Sequence, residues 1–93
     1  MRTLHLALRA EYFNAIKAGE KTEEYRLANA YWFIRLVRRE YDQIILTLGY
    51  PKRDDESRRL VFPWNGYEMK EITHKHFGDE PVLVYAIKLE ASK

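Results

Sequence analysis

Apolar and polar positions alternate from the start of the chain, with Leu4, Leu6 and Leu8 on one side of residues 2–8 and Thr3, His5 and Ala7 on the other. A period of two marks a half-buried strand. The period lengthens over residues 10–18, where Phe13 and Ile16 lie three apart and Tyr12 joins Ile16 at four, as one face of a helix requires. Gly19 stands where that helix would close through a left-handed residue. Residues 22–27 return to alternation: Thr22, Glu24 and Arg26 on one face, Glu23, Tyr25 and Leu27 on the other, with Lys21 at the mouth of the strand.

Asn29 is placed to cap a second helix over residues 30–40. Phe33, Leu36, Val37 and Tyr41 share the face expected to meet the core, while Tyr31, Arg35, Arg38 and Arg39 share the opposite face, flanked by Trp32. The apolar run 43–49 predicts a central strand covered on both sides. Residues 50–59 turn to Pro, Lys, Arg, Asp, Glu and Ser and predict one long charged loop. Leu60, Val61 and Phe62 form a short strand ended by Pro63, and Asn65-Gly66 signals a tight turn between Trp64 and Tyr67. Residues 67–76 predict another strand, Gly78-Asp79-Glu80-Pro81 a turn, and Val82 to Leu89 a closing strand with Leu83, Tyr85, Ile87 and Leu89 on one face. The expected fold is a single α+β domain over residues 1–93, in the order β-α-β-α-β-β-β with two helices. Its small mixed sheet should curl and partly close to hide its edges.

Composition narrows the class. The chain of 93 residues can build one core, no apolar run is long enough to cross a bilayer, and no signal segment is expected at its start. Without cysteine there is no disulfide frame and no thiolate metal site, which fits a reducing compartment such as the cytoplasm. A net charge of +2 does not announce nucleic acid, but all nine arginines fall at or before Arg59, so the positive potential is patchy. His74 and His76 would share a strand face in the manner of a metal-binding pair, yet no third ligand accompanies them. Neither metal nor cofactor is expected, and His74 is read as a hydrogen-bonding group at a cleft rim or as an ordinary surface residue.

The chemistry concentrates in Gly19 to Arg26, where a cation, a hydroxyl, a carboxylate and a guanidinium share one turn and one strand. That arrangement predicts the floor of a polar cleft; a solvated ion-pair ladder is the plainer alternative. Tyr31, Trp32 and Arg35, with Arg38 and Arg39 beside them, interleave flat rings with cations, which suits stacking on unpaired bases and contact with phosphates. Trp64 either stacks a base or closes one end of the fold within an aromatic turn.

The series Gly19-x-Lys21-Thr22-x-Glu24-x-Arg26 resembles the signature of the ASCH domain family, a branch of the PUA-like superfamily. The similarity extends from the opening strand and helix to the Tyr31-Trp32 helix, the run ending at Gly49 and the closing strand. The resemblance implies a small β-barrel with helices at its side and a cleft that receives single-stranded RNA, a nucleotide or a nucleoside. Lys21, Glu24 and Arg26 are the catalytic candidates it suggests, and Thr22, Tyr31, Trp32, Arg35, Trp64 and His74 the candidates for nucleic-acid contact. The alternative is a small hydrolase, either a ribonuclease or an amidohydrolase of acylated cytidine nucleosides. The similar cytidine-amide hydrolases use a lysine and a threonine in this strand; Lys21 matches the lysine, but Glu24 stands in place of the hydroxyl. Glu24 would then act as a general base on water with Lys21 stabilising developing charge; in RNA cleavage Glu24 or a neutral Lys21 would take the 2′-hydroxyl proton while Arg26 holds the phosphate.

Overall fold

The alternating leucines of β1 (Thr3–Leu8) are buried because this strand runs parallel to β3 (Gln43–Leu48), with Leu4 opposite Ile44 and Leu6 opposite Leu46. The computed structural model describes residues 1–89. Between β1 and β3 the chain makes helix α1 (Ala10–Lys17), strand β2 (Glu23–Leu27) and a second helix, α2 (Ala30–Trp32, continued over Phe33–Val37). Beyond β3 come a 3-10 turn (Glu56–Arg58), β4 (Arg59–Pro63), β5 (Tyr67–Ile72) and β6 (Val82–Lys88). The order is thus β-α-β-α-β-β-β-β: each of the six strands read along the chain is present, one more than the order β-α-β-α-β-β-β holds.

Backbone hydrogen bonds divide the six strands into two three-stranded sheets, β1-β3-β4 and β2-β6-β5, neither of them closed into a barrel. Phe13 and Ile16 of α1 and Leu36 of α2 join Leu4, Leu6, Ile44, Leu46, Tyr85 and Ile87 in one core. Fully burying an aliphatic or aromatic side chain of this kind contributes about 1.5–3 kcal/mol. β6 lies in the middle of its sheet and buries both faces from Val84 to Ile87, so the one-faced alternation expected of it does not hold there. Leu83, expected inside, is exposed near its start.

Three expectations are corrected. The second helix is α-helical only over Ala30–Trp32 and continues as a π turn over Phe33–Val37, where the Arg38 N–H reaches back to the Phe33 carbonyl at 3.3 Å. The wider turn shifts the phase of the helix. Phe33 and Val37, assigned to the core, come out 43% and 42% exposed, while Leu36 is buried and Trp32 packs against the core. The strand expected over 67–76 stops at Ile72, because His74 to Phe77 form a turn closed by the Phe77 N–H on the His74 carbonyl at 2.9 Å. Asn65-Gly66 does not join a hairpin: β4 pairs with β3 and β5 with β6, so residues 64–66 carry the chain from one sheet to the other.

β2 has a paired strand on one side only and leaves its other edge open, as does β1 in its own sheet. The candidate site is lined by residues of both these edge strands, Ala7 and Leu8 from one and Glu24 to Leu27 from the other.

Candidate functional site

Helix α1 ends in a way that aims Lys21. Gly19 adopts φ +80°, its N–H bonds the Ile16 carbonyl at 3.1 Å, and the Glu20 N–H bonds that of Ala15 at 2.9 Å. This is the Schellman closure expected of a glycine just past a helix end. The Lys21 N–H adds a bond of 3.2 Å to the same Ala15 carbonyl, so the residue that opens β2 is tied to the helix.

Glu24 is the centre of the site. Only 5% of it is exposed, and its Oε1 accepts from Lys21 Nζ at 3.0 Å while Oε2 accepts from Arg26 Nη2 at 2.9 Å. A buried carboxylate needs such partners, since an unpaired charge away from water costs several kcal/mol. Around this ionic core the side chains form a cleft of about 290 Å³. Arg9, Tyr12, Tyr25, Trp32, His74 and Phe77 line it. Lys21 Nζ lies 4.9 Å from the centres of both the Tyr12 and Tyr25 rings, a two-sided cation–π seat. The Tyr12 ring lies 5.8 Å from that of His74.

The strap that carries His74 is tied to α1 by one ion pair and braced within itself by one hydrogen bond. Lys75 pairs with Glu11 of α1, and His74 Nδ1 accepts the His76 backbone N–H at 3.0 Å. Lys75 holds the Glu11 carboxyl below the usual carboxylate range through a direct hydrogen bond. Tyr25 donates to Glu23 at 3.2 Å, and burial followed by the Glu23 charge pushes its hydroxyl above the ordinary tyrosine value, so it remains a donor at neutral pH.

Of the residues singled out by sequence, Lys21, Glu24, Arg26, Trp32 and His74 line the cleft. Asn29, whose side chain accepts the Trp32 N–H at 3.0 Å, caps α2 and so sets Trp32 in the wall. Thr22 does not join its expected neighbours: it precedes β2, is exposed, and engages the fold through its carbonyl, which accepts the Leu89 N–H at 2.9 Å. Tyr31 is exposed and meets Trp32 edge to face at 5.0 Å, and the Arg35 guanidinium lies 5.4 Å from each ring, just outside the cleft lining. Trp64 is elsewhere, its ring 5.2 Å from that of Tyr41 beside a separate surface hollow. The charged loop after Gly49 bonds within itself, Arg59 to the Lys52 carbonyl and Arg58 to Asp55, and contributes nothing to the cleft lining.

Sequence reading passed over Arg9, Tyr12, Tyr25 and Phe77 as parts of this site. Tyr25 was assigned away from Glu24 by alternation, but a cleft at an edge strand wraps round the edge and collects side chains from both faces. The helical spacing of Tyr12 and Ile16 was legible; that the tyrosine would roof a lysine was not.

Among the described residues no three His, Asp or Glu side chains gather in a way that could hold a metal ion, and no helix is long and apolar enough to cross a membrane. The arrangement can bind an anion through Lys21, Arg26 and Arg9, and a flat group against the surrounding rings. As a base, Glu24 is constrained, because both of its oxygens already accept from cations. Comparisons with protein-family models, curated proteins and solved structures return no match.

Proposed function

We infer that this chain is a small RNA- or nucleotide-binding domain of the ASCH, PUA-like type, with single-stranded RNA or a nucleotide held in the cleft over Lys21, Glu24 and Arg26. One observation carries the reading. A single buried carboxylate is outnumbered by the cations that share its cleft, and the space around them is walled by Tyr12, Tyr25, Trp32, His74 and Phe77. Surplus positive charge among half-buried rings matches a ligand that is both anionic and flat. Unpaired bases and their phosphates have that chemistry. The PUA-like reading of the fold draws on the two sheets sharing one core, with the open edges of β1 and β2 flanking the cleft like the lips of a split barrel. It includes residence in the cytoplasm, where a chain without cysteine has no disulfide to lose.

Hydrolysis in the same cleft is the second reading, since a carboxylate and two cations converge there. Glu24 would have to exchange one of its cations for a water or a 2′-hydroxyl before accepting a proton. Fluorescence anisotropy with short single-stranded RNA at several salt concentrations tests the first reading. Affinity should fall steeply with salt and drop in Lys21→Ala, since phosphate contacts release counterions. Affinity indifferent to both would contradict it. Turnover of RNA or of an acylated cytidine that disappears in Glu24→Gln would establish the second.

A further inference from the structure

Two buried side-chain nitrogens lack a hydrogen-bond partner among the described residues, Arg26 Nε and Arg35 Nε, and both belong to guanidiniums resting on the same indole. The Arg26 guanidinium carbon lies 5.1 Å from the centre of Trp32 and that of Arg35 lies 5.4 Å from it. Buried donors are rarely left unmet in native structures, so each orphan calls for a missing water or ion. Charge decides between the two. Arg26 shares its one carboxylate, Glu24, with Lys21, and Arg35 has no ion pair at all among the described residues. A water would meet one N–H, whereas an anion would meet an N–H and also offset the two like charges held on one ring.

Resting on the nucleotide-binding reading, the geometry points to an oxyanion subsite at Trp32, formed by Arg26 and Arg35, that gives the cleft a preference for phosphorylated ligands over free nucleosides. Arg35 is prepared for this. Its guanidinium lies 5.4 Å from the Tyr31 ring as well as from Trp32, and those two rings meet edge to face at 5.0 Å, so its plane is fixed before any ligand arrives. The Tyr41 hydroxyl donates to the Arg35 carbonyl and pins the backbone at that point of the π turn. π turns of this kind concentrate at functional sites. Arg26 belongs both to the cleft and to the Trp32 pair, so a base among Tyr12, Tyr25 and His74 could extend its phosphate across Arg26 towards Arg35. A guanidinium is suited to the task because its fixed fork matches two phosphate oxygens at once.

The test uses the arginine Nε–H signals of the 15N-labelled protein and three probes: inorganic phosphate, a mixture of the four ribonucleosides, and the same four as 5′-monophosphates. Phosphate alone should shift the Nε–H signals of Arg35 and Arg26, and Arg35→Gln should abolish the shift at Arg26 or weaken it severalfold. The monophosphates should bind roughly tenfold or more tightly than the nucleosides, as expected for a charge-assisted hydrogen bond, and the gap should close in Arg35→Gln. Arg35→Lys should recover only part of it. No phosphate response at Arg35, or equal affinities for nucleoside and monophosphate, overturns the subsite. Should phosphate move Arg35 while neither nucleoside nor monophosphate perturbs Tyr12 or Tyr25, the subsite stands and the nucleotide-binding reading fails.

Discussion

Lys21 and Glu24 form an ion pair of 3.0 Å in which the carboxylate is the more deeply buried partner, its side chain 7% exposed against 17% for the lysine. The carboxylate therefore organises the cation, and Arg26 completes the arrangement from the other oxygen. A cleft designed around a reactive carboxylate would leave an oxygen free; this one leaves the cations facing its interior.

Removing Glu24 should consequently damage the fold more than the chemistry. Glu24→Ala leaves Lys21 and Arg26 half-buried without their counter-charge, and a loss of about 2–4 kcal/mol in unfolding free energy is expected. Urea denaturation measures it. Glu24→Gln keeps the shape and removes one negative charge, so salt-dependent RNA binding should persist. A stability unchanged in Glu24→Ala would mean that the two ion pairs carry no net weight.

Gly19→Ala tests how Lys21 is positioned. A Cβ at this residue would meet nothing within 4 Å, so the cost comes from the φ of +80° alone, about 1–2 kcal/mol. The same change should weaken RNA binding in folded protein, since Lys21 is tied to the closure through the Ala15 carbonyl. Stability lost with affinity intact would separate the cap from the cation.

The strap over His74 should loosen in acid. The Glu11 carboxyl is held below its ordinary 4.5 by Lys75, so its contribution is complete above 4.5 and is lost as pH falls through the lowered value. Lys75 is raised above 10.5 by the same pair, so its contribution is complete below 10.5 and is lost as pH rises through the raised value. Amide exchange at Lys75, His76 and Phe77 should accelerate relative to β6 at the acid end, and Glu11→Gln should remove that pH dependence. Because the pair is exposed, added salt should blunt the effect. Exchange rates that follow pH identically in Glu11→Gln would dismiss the clamp.

The two tryptophans should part company. Trp64→Ala removes a ring packed on Tyr41 and against the core, and about 2–3 kcal/mol of stability should go with it while RNA affinity holds. Trp32→Ala should lower RNA affinity at least severalfold, since the ring belongs to the cleft wall and seats Arg26 and Arg35. Titrations of the two variants beside their denaturation curves decide this; loss of affinity in Trp64→Ala would move the binding surface to the hollow beside Tyr41.

What was legible in the sequence was whatever depends on near neighbours. The period of two in β1, the spacing of Phe13 and Ile16, the closure at Gly19 and the cap at Asn29 are each settled within a few residues. The placement of Lys21, Glu24 and Arg26 in one hollow followed from alternation along β2. The rest turns on distant partners. Asn65-Gly66 reads the same whether its flanking strands pair with each other or with strands of two different sheets. The π turn that rotates Leu36 inward and turns Phe33 out has no period of its own in the sequence. Nor does local pattern reveal that residues 73–77, beyond β5, would fold back onto α1 through Lys75 and Glu11.

The most direct measurement is a backbone and side-chain amide shift map of the 15N-labelled protein titrated with a mixed-sequence single-stranded RNA hexamer. The account predicts perturbations centred on Lys21, Tyr25, Arg26, Trp32 and His74, saturating together and receding as salt is raised. Shifts confined to Trp64 and Tyr41, or a spectrum that does not change at millimolar RNA, would contradict it.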